Sequence, residues 1–239
     1  MPVPAAEASW AGSLLWLAGV SAAAFLVSWL VTDRLQVSRS WYVGVLFVVT
    51  GALSAGYLAW LGVGAGEVLT ARWGWGLVGA VVAGALPALG MTRLAASQRH
   101  TGSSLGTALA WEGAVYGVAE GVLLSALPAF VTWQLIHSLG WAGPAGAVAR
   151  WTLPVLASAF VIVVHHLGYP EYRNRQLIPV TVACGLLTVG YLITASVLAP
   201  ALGHVLMHAA AIGHGTELPP HRGGAGIPAD RPDRALARL

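Results

Sequence analysis

Six ionisable side chains fall inside the later apolar runs of this 239-residue chain: Glu112, Glu120, His165, His166, His204 and His208. The first three apolar runs contain essentially none. A charge in hydrocarbon is costly, so an ionisable residue there is by default a site residue with a partner. Glutamate beside histidine is the equipment of a general base acting on water. Glu112, Tyr116 and Glu120 are spaced by four, and each such step rotates a helix by only about 40°, so they form one polar stripe. His204 and His208 stack one turn apart in the same way, and the two stripes and the His165–His166 pair are expected to converge on one water.

Each residue also has a plainer reading. Glu112 equally suits a hydrogen-bond acceptor between helices, and His166 equally suits the membrane interface. His137 reads as interfacial, His100, His214 and His221 as solvated, and Glu171 as a surface ion-pair partner. Cys184 is the only cysteine and lies in an apolar run. That excludes an intrachain disulfide and opposes a thiolate nucleophile.

The elements that must carry these residues follow from composition. Charged residues make up 9% of the chain and hydrophobic ones 57%, with mean hydropathy +0.73. A soluble domain carries about 25% charged residues. The apolar runs approach the ~20 residues needed to cross a bilayer. Expected spans are 10–32, 41–63, 73–89, 105–127, 151–167 and 177–198, with a short last helix to Ile212. The piece 128–141 is broken by Pro and Gly and reads as re-entrant or interfacial. The fold class is all-α, a polytopic transmembrane bundle of about six to eight membrane helices, with one membrane domain over 1–213 and a disordered cytoplasmic tail over 214–239. The first run lacks a basic leader segment and reads as a span rather than a cleaved signal. Glycines in spans two to four read as close helix packing.

All twelve basic residues are arginine. They stand singly between apolar runs rather than in a patch, which argues against nucleic acid as a partner. Arg34, Arg39, Arg93, Arg99, Arg173 and Arg175 fall in one alternate set of loops, and only Arg72 and Arg150 in the other. The positive-inside rule then places the first set in the cytoplasm and the N-terminus outside, in a multi-pass protein of the cell membrane.

The C-terminal half resembles the CPBP family of intramembrane proteases (CAAX prenyl endopeptidases and bacteriocin-processing relatives). That family carries Glu-Glu-x-x-x-Arg, Phe-x-x-x-His and His-x-x-x-Asn on successive membrane helices. Here Ala119-Glu120-Gly121-Val122-Leu123-Leu124-Ser125 is similar to the first motif, with Gly121 for the second Glu and Ser125 for the Arg. Val161-Ile162-Val163-Val164-His165-His166 is similar to the second, with Phe160 displaced by one position. The stretch from Gly185 through Tyr191, Ser196, Ala199-Pro200 and Gly203-His204 to His208 resembles the last two helices, with His208 for the Asn. The likeness spans about residues 105–213. It implies a peptidase in which Glu120 and His165 or His166 activate water while His204 and His208 stabilise the oxyanion. A membrane-associated protein or peptide would be the substrate.

Two other readings stand beside it. One is a zinc-dependent lipid hydrolase of the ceramidase kind, with His204, His208 and His165 as metal ligands, or His166 or Glu120 as the third, and an open position for water. The other is a catalytically inactive relative acting as a membrane scaffold or partner. Neither periodicity nor composition shows the paired interrupted helices expected of a transporter.

Overall fold

A computed structural model describes residues 9–96 and 100–216. Eight helices run through them: α1 (Trp10–Arg34), α2 (Arg39–Leu61), α3 (Ala65–Thr70), α4 (Trp73–Met91), α5 (Gly102–Ser138), α6 (Gly143–Leu167), α7 (Leu177–Thr194) and α8 (Leu198–His214). No strand occurs among the described residues, only an isolated backbone bridge between Ala96 and Thr216. In lipid every backbone polar group needs a partner, and a helix supplies it within the segment. All but α3 and α8 are long and apolar enough to cross a membrane, six helices in all. The chain is an all-α, multi-pass membrane bundle.

The segment 128–141 departs from its expected form. It is not re-entrant, because α5 runs as one helix for 37 residues from Gly102 to Ser138. In its most apolar window 78% of the residues are buried, against 22–39% in the other five spans, so α5 is the axis of the bundle. Pro128 has no N–H to offer the carbonyl of Leu124 one turn back. That carbonyl instead accepts a hydrogen bond from the Ser158 hydroxyl of α6, at 2.6 Å. A neighbouring helix therefore repairs the break that the proline signals.

Other boundaries shift for local reasons. The helix α6 begins at Gly143, so Arg150 lies within it and not in a loop. Ala195 takes a left-handed conformation (φ 54°) and ends α7 before the expected 198. The last helix continues to His214, across the boundary drawn at 213. His214 closes it with a 3.1 Å exposed hydrogen bond from its ring to the Leu94 carbonyl. The rest of the tail, from 217 and including His221, lies outside the described residues.

Small residues hold α8 between α4 and α5. A Cβ on Gly84 would stand 2.9 Å from the Cα of Gly203, and one on Gly117 2.7 Å from the Cα of Val205. One on Gly121 would stand 2.6 Å from the Cα of Ala201. Such contacts let backbones approach closely where no hydrophobic force joins helices. Arg173 pairs with Asp33 at 3.2 Å and Arg39 with Glu112 at 2.9 Å. These pairs, with the Ala96–Thr216 bridge, gather the α1–α2, α4–α5 and α6–α7 connections at one end of the bundle.

Candidate functional site

Glu120 closes an ordinary helical turn (Tyr116–Glu120) held between two π-helical turns, Leu109–Val115 and Gly121–Ala126. Such widened turns recur where a helix carries function, because they re-aim side chains. The consequence for the expected stripe is a division of labour. Glu112 reaches Arg39 near the bundle end, with both side chains 21–24% exposed. Glu120 lies eight residues further along, roughly 12 Å deeper, and is only 5% exposed.

One carboxylate oxygen, Oε2, accepts a hydrogen bond from His208 Nε2–H at 2.8 Å. The other, Oε1, stands 3.6 Å from His165 Nε2, near enough for charge to be felt but too far for a hydrogen bond. Tyr116 lies one turn earlier on α5. Its ring packs against the His208 imidazole with centroids 4.6 Å apart. With Nε2–H given to Glu120, His208 Nδ1 is left as a lone-pair acceptor. It is buried and has no partner among the described residues.

His165 is oriented from three sides. Its Nδ1–H donates to the Ala24 carbonyl of α1 at 3.0 Å. Its backbone carbonyl accepts from the Ser28 hydroxyl at 2.6 Å. Its Nε2 meets the Tyr169 hydroxyl at 3.0 Å. The Tyr42 hydroxyl lies 3.3 Å from the same nitrogen and hydrogen-bonds Tyr169. Close approach of α6 to α1 requires Gly168, where a Cβ would come within 2.8 Å of the Ser28 Cβ.

The remaining predicted site residues stand further off. His204 donates Nδ1–H to the Pro200 carbonyl at 3.2 Å and turns Nε2 to the Cys184 sulfur at 3.5 Å. His166 is buried, not interfacial; its Nδ1–H goes to the Ile162 carbonyl at 2.8 Å and its ring meets Tyr172 edge-on at 4.9 Å. Burial holds the Tyr172 phenol above the ordinary tyrosine range. Glu171 is exposed and forms no ion pair among the described residues, whose acidic partner in that region is Asp33. His137 is exposed near the C-terminal end of α5.

The donors do not suit zinc. Among the described residues no three His, Cys, Asp or Glu side chains form a group that holds a metal ion. The His204 and His208 rings are 6.3 Å apart, and their Nε2 atoms serve Cys184 and Glu120 respectively.

Sequence reasoning missed Tyr42, Tyr169 and Ser28. A tyrosine near a span end looks like an interfacial anchor, and a serine on an apolar run looks like filler. Only the meeting of α1, α2 and α6 gives them their role. Gly121 and Ser125 are both tightly packed. Gly121 faces the backbone of Pro200 and Ala201, leaving no room for a second glutamate. Ser125 is fully buried, with its hydroxyl 3.4 Å from the Cys184 carbonyl, where an arginine would not fit.

Two clefts, of about 320 and 220 Å³, open at the opposite end of the bundle. Neither is lined by Glu120 or its partners. No protein-family model, no curated protein and no solved structure matches the chain.

Proposed function

We propose that the chain is an intramembrane hydrolase of the CAAX-protease-like type, with Glu120 as the general base. The observation that supports it is the buried carboxylate, whose Oε2 is held by His208 while Oε1 stands 3.6 Å from His165 Nε2. In this reading the water oxygen adds to a peptide carbonyl carbon while Glu120 takes its proton. The oxyanion is met by hydroxyl or imidazole N–H donors, for which Tyr42 and Tyr169 are better placed than His204, which faces Cys184. The carbon–nitrogen bond then breaks, and Glu120 passes its proton to the leaving amine. The substrate is a membrane-associated protein or peptide. The arginine-bearing end of the bundle faces the cytoplasm and the N-terminus faces outward, in the cell membrane.

A second reading is favoured by one feature: the carboxylate is already engaged by His208, and neither cleft reaches it. Here Glu120, the histidines and the tyrosines form a polar keystone joining α1, α2, α5, α6 and α8, in a chain that serves as a membrane scaffold or partner.

The substitution Glu120→Gln separates the two. A hydrolase loses turnover of a membrane-tethered peptide library while its melting temperature in detergent stays near that of the native chain. Retained turnover removes Glu120 from the mechanism. No turnover in the native chain, together with a large fall in melting temperature on substitution, establishes the keystone.

A further inference from the structure

Arg72 and Arg150 are the two arginines that the charge asymmetry of the loops leaves unexplained, and they line the same cleft. Arg72 immediately precedes α4 and Arg150 lies two turns into α6, at the end of the bundle away from the other described loop arginines. Trp133, Trp151 and Ile193 complete much of the wall. The neighbouring cleft shares Trp133 and Arg150 and adds Trp141 and His137. No carboxylate lines either cleft, and neither arginine is ion-paired among the described residues.

The backbone gives an independent sign that the cleft is built. Three non-glycine residues among those described have positive φ, and two of them, Arg72 (48°) and Ala195 (54°), line it. Non-glycine residues adopt that conformation at a cost, and it concentrates at ligand sites. The setting is also that of a headgroup layer: tryptophans mark membrane interfaces, and a guanidinium fork matches a phosphate in a bidentate way. Exposed Ile193 and Leu156 continue an apolar surface toward the membrane core, where acyl chains lie.

We infer that this cleft binds the phosphate of an anionic phospholipid, with Arg72 and Arg150 on the headgroup and Trp133 and Trp151 at its glycerol level. The native chain in nanodiscs of phosphatidylcholine and phosphatidylglycerol is released into a native mass spectrometer, and retained lipid is identified. Preferential retention of phosphatidylglycerol is expected. Arg72→Ala/Arg150→Ala should lower it at least about tenfold, the loss of one charge-assisted hydrogen bond or more. Arg34→Ala/Arg93→Ala, at the other end, should leave it unchanged. If the alanine pair fails to fold, Arg72→Lys/Arg150→Lys keeps the charge without the forks and should retain measurably less than the native chain. Equal retention in the cleft variants overturns the inference. So does displacement of the lipid by excess inorganic phosphate, which would mark a simple anion pocket.

Discussion

His208 gives its only described hydrogen bond to Glu120, and that makes it the residue whose removal is most informative. His208→Ala leaves a buried carboxylate with one fewer donor, and breaking one side of a buried pair costs about 3–5 kcal/mol. The melting temperature in detergent should fall accordingly. His208→Asn keeps a side-chain N–H and should recover part of the loss. Adding Glu120→Gln to His208→Ala should also recover part, because a neutral amide needs the donor less. If the double variant is as unstable as the sum of its singles, the two residues are not coupled and the site geometry is wrong. The importance of Glu120 and His208 was legible in the sequence, because a carboxylate and an imidazole stand out against apolar runs. Their pairing across 88 positions was not, since nothing local says which histidine faces which glutamate.

Between α5 and α8 the controlling dimension is a missing methyl. Gly121→Ala places a carbon about 2.6 Å from the Cα of Ala201, a distance that forces backbone movement. Overpacking of this kind typically costs about 1–3 kcal/mol. Gly185 on α7 has open space around its missing Cβ, and Gly185→Ala should be neutral or stabilising by up to about 1 kcal/mol through helix propensity alone. Thermal unfolding of both variants, read by circular dichroism, checks the pair, and equal effects would contradict the packing. At this scale the spans were largely legible, since apolar length sets where a helix crosses. The error lay at Pro128, where a real local signal for a break is overruled by Ser158, thirty residues away in sequence and adjacent in space. The early start of α6 was hidden for a related reason: Pro, Gly and Arg150 look like a loop until a neighbouring helix and an interface receive them.

The whole molecule has two unlike ends. One gathers the described arginine-rich connections, the Glu120 network and the phenols of Tyr169 and Tyr172. The other carries tryptophans and the cleft of Arg72 and Arg150. Orientation can be tested in a Cys184→Ala background, since Cys184 is buried and the chain has no other cysteine. Single cysteines at Gln36 and Asn174 should resist a membrane-impermeant maleimide in intact cells, and one at Gly140 should react. The reverse pattern would invert the topology and place the glutamate network near the outer surface.

That the axis of the bundle sits in the middle of the chain has a bearing on biosynthesis. When the ribosome has made α5 but not α6 or α8, the carbonyl of Leu124 has no Ser158 and Glu120 has no His208. The half-made protein therefore holds a span with a buried carboxylate before the partner that hydrogen-bonds it exists. Glu120 lacks its donor until the last helix has been synthesised, and burying α5 fully has to await α8.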